Sequence, residues 1–427
     1  MNQLLMKRIA QLKNGEIPTG YKKTEFGIFP CDWETDKTFG DLFDFYGGLG
    51  KTREELGEKG HAYLHYGDLH RGSFNVVSHQ QYEQLPKCDV QLKGNESYLM
   101  QDGDVAFLDA SEDLEGTSRS VLIDNLENKP FIAGLHIICG KPKDESLDKW
   151  FKQYITSTNR VKKQFQHLAV GFKVYGLNKE TLPKIRLAYP KSLSEQAKIA
   201  EILMTWDKAI ENEKSLIQCL ISRRGAVVQR LTREQDGWHK EPLERILKER
   251  CEYATKSDGY KHASLTMEGV FEKPEKYNRD FLVKTDEKKY KITRYNDICY
   301  NPANLKFGVI CINKNEDDMI FSPIYVTYEV APDFNADFIG ATLCSANFIQ
   351  YIRKYEEGTV YERQAVKSLD FLRGEIWVPG SKSKQDEIAS IISVINNTIE
   401  LRTALLNKLE RQRKALQQYL LTGIVRV

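Results

Sequence analysis

Along two stretches of this chain the apolar residues fall at alternating spacings of four and three. The first stretch runs Ile199, Leu203, Trp206, Ile210, Glu213, Ile217, Leu220, Arg224, Val227, Leu231. The second runs Ile388, Ile392, Ile395, Ile399, Arg402, Leu406, Leu409, Arg413, Leu416, Leu420. Eight of the ten positions are apolar in each, which predicts a narrow coiled-coil seam rather than the broader stripe of a helix lying on a core. Ser192-Leu-Ser-Glu195 supplies a capping-box start for the first helix, and Ser383 to Asp386 a looser one for the second. At ~1.5 Å per residue, about 37 residues make a rod of roughly 55 Å. Two seams of equal length favour mutual, antiparallel pairing over the alternative in which each helix packs on its own domain. Centred on one another, they set Arg413 opposite Trp206 and bring Glu213 within about a turn of Arg402, so that a cation–π contact and a salt bridge would fix the register.

The remaining sequence alternates short strand-like runs with Gly, Asn and Asp turns, as in DVAFLDA (104–110), VLID (121–124), DICYNPA (297–303) and GVICIN (308–313). WFKQYITSTNRVKKQFQ (150–166) and FIGATLCSANFIQYIRKY (338–355) have helical patterns. These elements recur in one order. Glu195-Gln-Ala-Lys-Ile-Ala-Glu-Ile-Leu203 returns as Lys384-Gln-Asp-Glu-Ile-Ala-Ser-Ile-Ile392, and Pro190 has its counterpart in Pro379. Gly171-Phe-Lys-Val-Tyr resembles Gly358-Thr-Val-Tyr, VVQRLT (227–232) parallels LQQYLLT (416–422), and Trp33 and Trp238 open the two copies. A repeat this long is a duplicated domain, not a solenoid. The expected fold is mixed α/β (α+β): two globular domains joined by two long antiparallel coiled-coil helices with pseudo-twofold symmetry. The expected boundaries are an N-terminal arm (1–32), a first domain (33–190), a central helix (191–235), a second domain (236–380) and a C-terminal helix (381–427).

Composition adds limits. Hydrophobic content of 41% and charged content of 29% describe an ordinary globular protein, and a formal net charge of +2 neither demands nor excludes nucleic acid. Nothing approaches the roughly 18 apolar residues of a membrane span, and the charged N-terminus lacks a signal-peptide core, so a cytoplasmic location is expected. The eight cysteines form no C-x-x-C pair, which favours reduced, mostly buried thiols over a disulfide framework or a zinc site.

The motifs that suggest catalysis each lack a necessary residue. Gly47-Gly-Leu-Gly-Lys51-Thr52 has Phe45 where a phosphate-binding loop needs its first glycine. Asn301-Pro302-Ala303-Asn304 ends without the aromatic ring that amino-methyltransferases stack on a flipped base, and a turn between strands is the expected role. His61, His65 and His70 have no accompanying metal signature. Basic residues interleaved with aromatics and amides suit phosphate anchoring and base reading better. The DNA-contact candidates are Lys51, Arg53, His65, His70, Arg71, Asn75, Lys162, Lys163 and Lys173 in the first copy, and Lys256, Tyr260, Lys261, Asn304, Lys306 and Arg363 in the second.

The repeated P-x4-E-Q-x-x-I-A helix start, the opening Tyr21-Lys-Lys-Thr-Glu-Phe-Gly-Ile-Phe-Pro-x-x-Trp33 and the closing Ala415-Leu-Gln-Gln-Tyr-Leu-Leu-Thr-Gly423 resemble the specificity subunits of type I restriction–modification systems. Lys384 stands where that pattern has glutamate. The resemblance implies a non-catalytic subunit that reads a two-part DNA target, one part per domain, with the helix pair as a ruler. It implies two methyltransferase and two restriction/translocase subunits as partners. S-adenosylmethionine, ATP and Mg would sit on those partners, with no cofactor or metal on this chain. A fused methyltransferase with unrecognised motifs and a protein-binding scaffold are the alternative readings.

Overall fold

A computed structural model describes residues 3–71, 75–171, 174–255, 258–273, 289–357 and 364–427, except the side chains of Leu4, Leu5, Lys13, His70, Arg71, His79 and Gln80. Contacts divide the chain into two units, Met1–Asn212 with Asn407–Val427, and Glu213–Leu406. Both cuts fall inside a long helix.

In the first unit, strands Phe43–Gly47, Ile137–Pro142, Val105–Leu108 and Ser120–Ile123 lie side by side in that order, all antiparallel, with Val76–Val77 added parallel at the edge. In the second unit, Leu247–Glu249, Val326–Val330, Ile298–Tyr300 and Ile310–Ile312 repeat the same order and sense. A further sheet is also shared. His61–Leu64 runs parallel to Phe131–Ala133 and antiparallel to Lys87–Cys88, as Lys261–Leu265 does to Met319–Phe321 and Val270–Glu272. Parallel neighbours require a long crossover, so the same parallel pair at the same place marks a common topology. The central strands read VAFL and ICY without polar alternation because both of their faces are buried.

Small details repeat with the frame. The buried carboxylates of Asp104 and Asp297 precede the central strands, each accepting a hydrogen bond from a backbone N–H three residues earlier, at Gln101 and Arg294 (2.8 Å each). The residues before them, Gly103 and Asn296, hold left-handed φ angles of 83° and 67°. Trp33 pairs across a two-stranded sheet with Pro190, and Trp238 with Pro379, so the opening tryptophan and the proline before each long helix are partners.

The long helices are Leu193–Leu231 and Lys382–Leu421. The first begins at its expected cap, with the Glu195 N–H donating to Ser192 Oγ (3.4 Å). The second starts earlier than expected, because Ser381 takes the cap role through the Lys384 N–H (3.4 Å). Both shorter helical stretches are broken. A 3-10 turn Phe151–Tyr154 is followed by helix Asn159–Leu168, and Ala336–Leu343 by Ala346–Ile352. The hydroxyls of Thr158 and Ser345 cap a new helix at each break, competing with a continuous one. Among the described residues no helix is long and apolar enough to cross a membrane.

Each long helix is bolted to the domain that precedes it by a buried glutamine. Gln196 Oε1 accepts from the Asp148 N–H (2.7 Å), while its Nε2 donates to the carbonyls of Ser146 (2.9 Å) and Pro190 (2.8 Å). Gln385 Oε1 likewise accepts from the Asn335 N–H (2.9 Å). Asp148 and Asn335 each also cap the turn that follows them.

Within each unit the two helices run antiparallel. In the first, Arg413 Nη2 donates to Asp207 Oδ2 (2.9 Å) and its guanidinium lies 5.6 Å from the Tyr154 ring. Its aromatic partner is therefore Tyr154 rather than Trp206, because the neighbouring Asp207 carboxylate draws the cation. In the second, Arg402 meets Glu213 at 3.2 Å and Arg224 donates to Asn396 Oδ1 (2.5 Å). The seam residues Ile199, Leu203, Ile217, Ile388 and Ile392 are buried, while Trp206, Ile210, Leu220, Ile395, Ile399, Leu406, Leu409 and Arg413 are half-buried. The helix ends pack most deeply: Leu420 and Leu421 join a core with Trp33, Ile199 and Leu203, and Val228 joins one with Ile388 and Ile392.

Candidate nucleic-acid interface

In the first domain the glycine-rich loop after strand Phe43–Gly47 lies against the turn Gly134–Ile137. A Cβ on Gly48 would overlap the Gly134 carbonyl oxygen, and the Leu49 N–H donates to the Ala133 carbonyl (2.8 Å). The buried Tyr63 hydroxyl ties both segments. It donates to the Leu49 carbonyl (2.5 Å) and accepts from the N–H groups of Lys51 (3.1 Å) and Leu135 (2.7 Å). Burial raises the Tyr63 pKa, keeping that hydroxyl protonated. The glycines therefore serve close backbone packing, and the loop is held rather than loose.

Lys51 and Arg53 emerge from this loop with carboxylate partners. Lys51 Nζ is 2.8 Å from Glu55, whose carboxyl it helps push down to about 2, and Arg53 is 2.5 Å from Asp68. Exposed pairs of this kind are weak and screened by solvent, so an incoming phosphate can exchange with them. His65 is buried, at 6% exposure, and its Nδ1 accepts from the Gly67 N–H (3.1 Å). Burial and then Arg53 lower its pKa, so it is a neutral internal support. Helix Tyr66–Arg71 follows, but the side chains of His70 and Arg71 lie outside those described. Asn75 is half-buried, its carbonyl accepting from the Leu122 N–H (2.9 Å). Lys162 and Lys163 are exposed on helix Asn159–Leu168.

In the second domain Lys261 is exposed and 3.4 Å from both Glu272 and Asp317, and Tyr260 is half-buried beside Tyr290 and Ile320. Asn301 Oδ1 accepts from the Ala303 N–H (3.1 Å), which makes the Asn-Pro-Ala-Asn segment a turn. Exposed Asn304 leads from that turn into the 3-10 helix Leu305–Phe307, where Lys306 lies 5.2 Å from the Phe307 ring. Lys173, Lys256 and Arg363 lie outside the described residues, as does Gly358-Thr-Val-Tyr. Among the described side chains, Lys51, Arg53 and His65 are brought together around Asp68 and Tyr63 in the first domain.

Two features escape sequence reasoning. Tyr63 is one apolar letter in a strand, and His136 occupies a left-handed turn position (φ 63°) that Gly or Asn usually signals. The repeated glutamine of the helix starts is visible in the sequence, but the hydrogen bonds that Gln196 and Gln385 make are not. Among the described residues no group of His, Cys, Asp and Glu is arranged to hold a metal ion.

Two copies of one sheet-and-crossover frame, each delivering a long helix and displaying unlike loops, define a duplicated two-domain protein. Residues 30–220 match the family described as Type I restriction modification DNA specificity domain. The fold is similar to the type I restriction–modification system S subunit from M. genitalium, with a TM-score of 0.53 at 15% identity, over 91% of this chain and 96% of that one. It is also similar to a chain from a structure described as the basis of complex assembly and conformational transition of the type I R-M system. That match has a TM-score of 0.56 at 10% identity, over 93% of this chain and 99% of that one. Identities this low establish likeness of fold. No curated protein sequence matches the chain.

Proposed function

We propose that this chain is the sequence-reading subunit of a type I restriction–modification complex, without a catalytic site of its own, each domain reading one part of a two-part DNA target. The observation that supports it most is the duplication: the copy matched by the DNA-specificity family shares its sheet order, strand register and helix clamp with the second copy, while the displayed loops differ. A common frame with divergent loops suits two readers of unlike half-sites. Methyl transfer, with S-adenosylmethionine, would belong to two methyltransferase subunits. DNA translocation and cleavage, with ATP and Mg, would belong to two restriction subunits.

The test is reconstitution with the methyltransferase subunits, followed by mapping of methylated adenines on mixed-sequence DNA. A bipartite motif with unlike halves is the expected result. Unselective methylation removes the reading role and leaves a scaffold. Methyl transfer by the purified chain alone refutes the division of labour. Binding should also weaken steeply with salt, as counterion release at phosphates requires.

A further inference from the structure

The turn between strands Phe131–Ala133 and Ile137–Pro142 carries His136 at its third position, with the Ile137 N–H donating to the Gly134 carbonyl (3.1 Å). His136 has a φ of 63°, a conformation that costs a side-chain-bearing residue energy and that glycine adopts freely. The turn is clamped on every side. The Leu135 N–H donates to Tyr63, its carbonyl accepts from the Tyr66 N–H (3.3 Å), and the His136 carbonyl accepts from the Asp109 N–H (3.2 Å). The imidazole is clamped as well: Nδ1 is 2.8 Å from Asp109 Oδ1, and the Tyr66 ring meets it edge-on at 5.3 Å. Yet 43% of the side chain remains exposed, beside the loop that carries Lys51 and Arg53. Strain held by its surroundings at an exposed side chain marks a position kept for what it displays.

The duplicated frame identifies the matching position. Gly140 pairs with Val105 and Tyr328 with Ile298, the first residues of the equivalent central strands, so His136 corresponds to Ile324. Ile324 also stands third in a turn, where the Tyr325 N–H donates to the Ser322 carbonyl (3.1 Å), and it is 63% exposed. One corner of the fold therefore presents an imidazole in one domain and a bare branched hydrocarbon in the other.

We propose that this corner is a base-reading position in both domains, with His136 contacting a base edge in one half-site and Ile324 in the other. The inference rests on the DNA-reading function proposed above. Asp109 holds Nδ1 as the donor, which turns Nε2 outward to meet a hydrogen-bonding base edge in the major groove. Ile324 offers no hydrogen bond and suits the thymine methyl group. Asp109 and Tyr66 act as positioning residues for His136.

The test maps methylated adenines produced on mixed-sequence DNA by the complex with its methyltransferase subunits, using the parent chain and the variants His136→Ala, His136→Gly and Ile324→Ala. Both His136 variants should relax selection at one base pair of one half-site by roughly 5- to 150-fold, the discrimination of a single base-edge contact. Ile324→Ala should relax one position of the other half-site. His136→Gly relieves the backbone strain, so its melting temperature should equal or exceed that of the parent while selection is still lost. An unchanged motif in the His136 variants, relaxation spread over both halves, or a large melting-temperature drop in His136→Gly overturns the inference. A parent complex that shows no motif at all instead overturns the DNA-reading function itself.

Discussion

Replacing Gln196 by alanine tests whether the start of each long helix is fixed by a hydrogen-bonded glutamine rather than by the seam alone. The Gln196 side chain is fully buried and makes three hydrogen bonds, to the Asp148 N–H and to the carbonyls of Ser146 and Pro190. A typical bond contributes about 1 kcal/mol net, and a buried donor left without an acceptor costs about 1–3 kcal/mol. The expected loss for Gln196→Ala is therefore about 3–4 kcal/mol. Gln385, also buried, accepts one bond from the Asn335 N–H, so Gln385→Ala should cost about 1–2 kcal/mol. Native-state hydrogen exchange read by mass spectrometry separates the two sites, since protection can be followed in peptides around 193–210 and 382–400 independently. Gln196→Ala should lower protection in the first region and spare the second, and Gln385→Ala the reverse with a smaller effect. Equal losses from the two variants, or a loss below about 1 kcal/mol for Gln196→Ala, would refute the argument.

Three other perturbations follow from the same geometry. Gly48→Ala forces a methyl group onto the Gly134 carbonyl and should cost about 3 kcal/mol, near the upper end for overpacking; a melting temperature like that of the parent would contradict the close approach. Burial raises the Asp104 pKa above its ordinary value, so the native state keeps a proton that the unfolded chain has lost, and the stability present below pH ~4 declines as pH rises through the raised value. Asp104→Asn retains an acceptor for the Gln101 N–H without that pH dependence; its melting temperature relative to the parent should climb between pH 4 and 7, and a constant difference would sink the idea. In a double-mutant cycle on Arg402 and Glu213, the coupling should be about 1 kcal/mol because the arginine is 42% exposed, with Arg402→Met costing more than Glu213→Gln since it strands a mostly buried carboxylate. Equal single-variant costs would contradict that burial.

The helix pair was the most legible part of this chain because a seam writes a period into the sequence. Ile199, Leu203, Ile388 and Ile392 are buried, but in the cores of their own domains as well as against the opposite helix end, while Glu213 meets Arg402 across the pair. The duplicated domains are visible through the prolines, the tryptophans and the repeated glutamine of the helix starts (Glu195-Gln196 and Lys384-Gln385), all of which hold matching places. What stayed hidden depends on segments distant in sequence. Nothing in a single histidine announces a turn at φ 63°, and no local pattern reveals that Gly48 faces Gly134. The DNA-contact candidates rest on residue type, which does not distinguish exposed Lys163 from buried His65.

The two contact units also imply an order of events during synthesis. Glu213–Leu406 is continuous, so it can close as soon as its own residues have left the ribosome. The other unit needs Asn407–Val427, which emerge after everything else in it. Until then the apolar seat around Trp33, Ile199 and Leu203 lacks Leu420 and Leu421, Tyr21 lacks the Gly423 carbonyl, and Arg8 lacks that of Ile424. The half translated first is thus the half finished last, and a premature stop after Leu406 would harm the N-terminal domain while sparing the one beside the break.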